Sequence, residues 1–236
     1  MTGSGGSMPI VLVPGLLATA RLYGAQLPEL WRYGPVTVAD HTRDDTMDAI
    51  ARRILADAPT RFALAGLSMG GYVALEIMRQ APERIVRLAL LDTSARPDTV
   101  AQRERRSGQI SLARSGRFDE IPDQQLPLLV HADRQNDEAL RRLVDLMADE
   151  TGAAAFIREQ RAIMGRVDSR PDLRAIRCPT LVLVGDGDAL TPPELAEELA
   201  EGIDGARLVV VPDCGHLSTL ERPSQVTSAL VDWLAS

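Results

Sequence analysis

Short apolar runs alternate along this chain with longer stretches in which apolar residues return every third or fourth position. The runs are Pro9–Val13, Pro35–Ala39, Arg61–Gly66, Ile85–Leu91, Thr180–Val184 and Arg207–Val211. Rich in Val, Leu, Ile and Ala and ending in or followed by Gly, Pro or Asp, they read as buried strands. Helical spacing predicts a helix over Ala20–Leu30 and another from a cap at Asp45 or Thr46 to about Ala58, with Ile50, Ile54 and Leu55 on its apolar face. A third helix runs from Gly71 to near Ala81, and a last one from Pro223 through Leu234. Thr191-Pro192-Pro193-Glu194 reads as a capping box with Pro at the first helical position.

Strand–helix alternation predicts an α/β fold, a mainly parallel doubly wound sheet of about six strands. The rhythm breaks at residues 97–170, which are rich in Arg, Asp, Glu, Gln and Ala, with helical spacing at Leu140, Leu143, Val144 and Met147. This segment reads as a helical lid over the carboxyl ends of the strands, where ligands bind in open α/β sheets. Residues 8–96 and 171–236 then form the core. Residues 1–7, Met-Thr-Gly-Ser-Gly-Gly-Ser, read as a linker-like leader ahead of a start at Met8, with neither the basic nor the apolar region of a secretory signal.

The 236 residues are enough for one such domain. A net charge of −7 argues against nucleic acid or an anionic membrane as partner. No apolar run approaches a membrane span. Every basic residue is Arg, which excludes a lysine nucleophile or Schiff base. Cys178 and Cys214 fit no metal spacing and read as reduced thiols, in keeping with a cytoplasmic protein. No metal or cofactor is expected.

Between the third run and its helix stands Gly66-Leu67-Ser68-Met69-Gly70-Gly71. Gly-x-Ser-x-Gly in a strand-to-helix turn is the nucleophile-elbow pattern, which exposes a strained serine above the sheet edge with free helix N–H groups behind it. A serine hydroxyl needs a base. Of three histidines, His216 follows the last strand at the carboxyl edge and is the strongest candidate; His41 reads as an exposed surface residue and His131 as structural. The base needs an orienting acid. Asp188, four residues past the strand ending at Val184, is preferred; Asp186 and Asp92 are the alternatives.

Four features in order, Gly66-x-Ser68-x-Gly70, Gly185-x-x-Asp188 with Pro192 beyond, Gly215-His216 and Glu221-x-Pro223, resemble the α/β-hydrolase superfamily, over Ile10–Leu234 apart from the lid. The resemblance implies Ser68 as nucleophile, His216 as base and Asp188 as orienting acid. It implies an oxyanion hole from the backbone N–H of Met69 and of Leu16, or Leu17, in a loop where Pro14-Gly15 replaces the family's common His-Gly. With about six strands rather than the usual eight, the chain looks like the compact single-lid branch of small carboxylesterases and lactonases. The expectation is a serine hydrolase of small-molecule carboxylic esters. An enol-lactone or carbon–carbon bond hydrolase, and a non-catalytic binding member, are the alternatives. Leu17, Leu128, Leu129 and Met164 are expected to line the pocket. Arg103, Arg105 and Arg106 could meet a substrate carboxylate but read foremost as a solvated helix face.

Overall fold

The computed structural model describes residues 7–236, so the leader reading lies, but for Ser7, outside the described residues. Strands β1 (Ile10–Val13), β2 (Val36–Val38), β3 (Phe62–Leu67), β4 (Ile85–Leu91), β5 (Thr180–Gly185) and β6 (Arg207–Val211) form one parallel sheet. Their spatial order is β2-β1-β3-β4-β5-β6. The chain moves outward from β1 to β2 and then returns to build the rest of the sheet beyond β3. The switch point, where α/β sheets open a crevice at their carboxyl ends, therefore lies between β1 and β3.

Strand β3 shows why both faces are covered. Phe62 and Leu64 join the apolar cluster on one side, and Ala63, Ala65 and Leu67 the cluster on the other. This is the two-residue alternation of a pleated strand buried on both faces. The first cluster is completed by α2 (Met47–Asp57), α3 (Met69–Gln80) and α7 (Pro193–Gly202). The second is completed by residues around α1 (Leu27–Leu30) and by α9 (Pro223–Ala235), which follows the single turn α8 (Ser218–Glu221). Thr46 caps α2 by accepting from Ala49 N.

Between β4 and β5 stand α4 (Val100–Arg114), α5 (Glu120–Leu129) and α6 (Glu138–Gly165). Helix α6 is broken at Gly152, whose φ of 74° suits glycine. No helix among the described residues is long and apolar enough to cross a membrane.

Two local expectations are corrected. Ala20–Leu30 is not one helix but a 3-10 turn, Ala20–Tyr23, followed by α1. Pro28 has no N–H to donate back along a continuous helix, so the ladder stops before it. Thr191 does not cap α7, whose N-cap is Pro192 without a side-chain cap. Its hydroxyl is engaged by Asp188 instead.

Candidate active site

Strand β3 passes into α3 through Ser68 alone. Ser68 sits at φ 56° and ψ −117°, a conformation that a residue with a Cβ adopts only under constraint. The constraint is visible. Ser68 N donates to Leu91 O at 2.9 Å, and Ser68 O accepts from Gly71 N at 2.9 Å and from Thr93 Oγ1 at 2.7 Å. Strand and helix cross so closely that a Cβ on Gly66 would lie 2.1 Å from Gly70 O, and one on Gly70 would lie 2.0 Å from Val13 O. Met69 is the first residue of α3, so its N–H has no partner within the helix.

His216 and Asp188 meet from the loops after β6 and β5. His216 Nδ1 and Asp188 Oδ2 are 2.7 Å apart, both side chains almost fully buried. Asp188 also accepts from Leu190 N at 2.8 Å, Thr191 N at 2.9 Å and Thr191 Oγ1 at 2.7 Å. Burial works against its charge, but the adjoining His216 and these donors outweigh it and hold the carboxyl below its ordinary range. A carboxylate there makes Nδ1 the donor nitrogen and leaves Nε2 as the other site. For His216, burial alone would disfavour the cation, and Asp188 more than reverses this, so its pKa is raised above 6.5. The loop is pinned by Leu129 O, which accepts from the N–H of His216 and of Leu217, and by Glu221, which accepts from Leu217 N and His131 N. Ser68 and His216 line the same cavity. Among the described residues no hydrogen bond joins the serine hydroxyl to the ring, an openness common before a substrate is bound.

Among the described residues neither alternative acid hydrogen-bonds the His216 ring. Asp186 accepts from Cys214 N at 3.1 Å and so fastens the turn. Asp92, wholly buried, accepts from Gly185 N at 3.0 Å and from the Ser218 hydroxyl. Burial, and then the charge of Asp188, push its carboxyl well above the ordinary value. His131 packs against Gly187, where a Cβ would lie 2.5 Å from its Cδ2, and is not part of the cavity wall.

His41 is the main correction among the histidines. It is buried rather than exposed, with Nε2 3.1 Å from Gly15 O and 3.0 Å from Glu159 Oε1. The polar residues around it mislead because α6 folds over them. Glu159 is the functional-site neighbour that the sequence reading missed. It is wholly buried and accepts from Leu17 N at 3.3 Å. A signal existed: Ala155, Phe156, Ala162 and Ile163 share its face of α6, so Glu159 is an acid on an apolar stripe. Leu17 N–H is thus engaged, while Leu16 N–H has no acceptor among the described residues. Gly15 brings this loop against the serine: a Cβ there would lie 3.3 Å from Ser68 Cβ.

The cavity above Ser68 has a volume of about 580 Å³. Leu128 and Leu129 line it, as expected, but Leu17 and Met164 do not. Leu17, at φ 57°, turns into a cluster with Ile121 and Phe156, while Ile163 takes the wall position expected of Met164. Of the three arginines noted on α4, Arg105 and Arg106 line the cavity and Arg103 does not. Tyr72, Arg96 and Arg166 join the wall without having been expected there.

Residues 10–230 match the model of the alpha/beta hydrolase family. A putative non-heme bromoperoxidase of Mycobacterium tuberculosis is 30% identical over 76% of this chain and 69% of its own length. A thermophilic esterase from Thermogutta terrifontis, solved with malate bound, superposes with a TM-score of 0.87 at 31% identity, over 97% of this chain and 89% of its own. The enol-lactonase of Burkholderia xenovorans gives 0.89 at 26% identity, over 100% and 94%. A six-stranded parallel sheet, an elbow serine at its switch point and these likenesses lead to one conclusion: the chain belongs to the alpha/beta hydrolase family and is an enzyme of that type.

Proposed function

We propose that the protein hydrolyses small carboxylic esters through an acyl-enzyme on Ser68. The observation that supports this most is the strained Ser68, backed by a Met69 N–H without an acceptor among the described residues, in one cavity with His216, whose ring is held by Asp188. His216 Nε2 takes the hydroxyl proton as Ser68 Oγ attacks the ester carbonyl. The N–H groups of Met69 and Leu16 hold the oxyanion. His216 then protonates the departing alkoxide, and the alcohol leaves. Water then attacks the acyl carbonyl as it gives a proton to His216; the bond from the acyl carbon to Ser68 Oγ breaks, and His216 returns the proton to Oγ as the acid leaves. Asp188 keeps the ring in the right tautomer and stabilises the imidazolium. The helices of residues 97–170 act as a lid, and the substrate is a small molecule.

A lactone is an ester closed on itself and meets the same steps. The likeness to an enol-lactonase favours that as the second reading.

The test is turnover of p-nitrophenyl esters of graded acyl length by the parent protein and by Ser68→Ala. Steady turnover that vanishes in the variant supports the serine mechanism, and the length optimum sizes the acyl site. Equal low rates in both sink it. A burst of p-nitrophenol without turnover points to the non-catalytic binding member instead.

A further inference from the structure

Resting on that reading, we infer that the substrate carries a second, anionic group, a carboxylate, and that Arg105, Arg106 and Arg166 receive it inside the cavity. Four arginines line this space, these three and Arg96, and no Asp or Glu does. The compensating carboxylates lie behind the wall. Asp98, wholly buried, serves both Arg106 at 2.8 Å and Arg166 at 2.6 Å. Glu198 pairs with Arg96 at 2.9 Å. Arg105 has no carboxylate partner among the described residues. Four guanidiniums thus face two carboxylates, an excess of two positive charges on the cavity wall of a chain whose net charge is −7.

Such an excess is costly where it is buried. The side chain of Arg106 is only 12% exposed and that of Arg166 only 8%. Burial, aided by the nearby charge of Arg166, pushes Arg106 below the usual guanidinium value. A staple needing only to tie the start of residues 97–170 to its end would be complete with Arg166 alone on Asp98. The second buried charge, on Arg106, finds its compensation in a ligand anion, which the exposed Arg105 at the same wall can also meet.

The geometry suits a carboxylate. Guanidinium is a planar fork that meets a carboxylate in two parallel hydrogen bonds. Arg105 can offer that whole fork, whereas the two buried guanidiniums are partly engaged from behind and offer Nη2: Arg166 Nε donates to Arg96 O and its Nη1 to Asp98 and Ile163 O, and Arg106 Nε donates to Asp98. Arg106 Nη1 donates to Gln160 Oε1 at 2.8 Å, and the Arg166 guanidinium lies 4.2 Å from the ring centre of Tyr72. Leu16, Leu128, Leu129 and Ile163 supply apolar wall in the same space, so a short chain between ester and carboxylate is accommodated.

The experiment compares p-nitrophenyl hydrogen glutarate with its methyl-capped, neutral counterpart at low ionic strength. The parent should prefer the charged ester by about tenfold or more in kcat/KM, the effect of one or two charge-assisted hydrogen bonds. The ratio should fall toward one in Arg105→Gln and in Arg106→Gln, and also with added salt. Arg105 is exposed, so its replacement keeps the test alive should Arg106→Gln fail to fold. A parent ratio near one, or a preference unchanged by these substitutions, overturns the proposal. If neither ester is turned over, the ester reading has failed, and the anion site is judged by glutarate alone. A rise in Tm with glutarate that is lost in Arg105→Gln supports it, and no rise overturns it.

Discussion

Glu159 Oε1 lies 3.0 Å from His41 Nε2, with both side chains shut off from solvent. Nε2 also lies 3.1 Å from Gly15 O, so one ring nitrogen faces both the carboxylate and the carbonyl. Burial disfavours the imidazolium, but Glu159 and the neighbouring carbonyls outweigh it and raise the pKa of His41. Because Glu159 also accepts from Leu17 N, the pair ties α6 to both peptides that flank Leu16. Removing one partner of a buried pair should cost about 3 kcal/mol of unfolding free energy. Glu159→Gln and His41→Gln should each show it in urea unfolding, and the double variant should lose less than their sum. Since the folded pKa of His41 is raised, the pair's contribution is fully present below pH 6.5 and is lost as pH rises through the folded value. The gap between parent and Glu159→Gln should therefore narrow with rising pH. A gap that widens would contradict the ionic pair.

Two glycines should fail differently. At Gly70 a Cβ meets backbone, Val13 O at 2.0 Å, and neither strand nor helix can yield cheaply. Gly70→Ala should lose stability and activity together. At Gly15 the added Cβ meets Ser68 Cβ and Leu67 O at 3.3 Å, a contact relieved by a small shift. Gly15→Ala should keep its Tm within a few degrees and lose about tenfold or more in kcat, because small misplacements of reacting groups are costly. An unchanged kcat in Gly15→Ala would show that the loop does not steer the serine.

The pH profile follows from His216. In the proposed mechanism His216 must be neutral to accept the serine proton, and its pKa is raised above 6.5, chiefly by Asp188. The acid limb of kcat/KM in the free enzyme should therefore be centred above pH 6.5. Activity climbs as pH rises through that point. A limb centred below 6.5 would mean that burial wins over Asp188.

Local chemistry made the strands, the elbow and the Asp188 and His216 loops legible in the sequence. Each is announced by neighbours in the chain: Gly66 and Gly70 around Ser68, the turn at Gly185, the loop after Val211. What stayed hidden depends on distant segments meeting. His41 reads as exposed because its neighbours are polar, and only α6 buries it. Leu17 reads as pocket because it follows the first strand, yet its left-handed backbone turns the side chain away. Arg106 reads as solvated because Arg103 and Arg105 precede it, and only Asp98 and Arg166 reveal a charged wall. Thr191 reads as a cap because capping boxes are local, whereas its hydroxyl is drawn to Asp188.

The three carboxyls near the base should separate cleanly on amidation. Asp188→Asn keeps the shape but can donate to Nδ1 and so favour the wrong tautomer; kcat should fall by about 10³–10⁴. Asp186 bonds to Cys214 N in a turn, and Asp186→Asn preserves an acceptor oxygen there, so less than about a tenfold loss is expected. Asp92 is the informative case. Its carboxyl is pushed well above the ordinary value by burial and by Asp188, so a neutral amide resembles its favoured state. Asp92→Asn should therefore fold, with its oxygen still available to Gly185 N, and should act within about tenfold of the parent. If Asp92→Asn fell as far as Asp188→Asn while remaining folded by circular dichroism, Asp92 would have to be ionised in the working enzyme. The orienting charge on His216 would then be shared between the two acids.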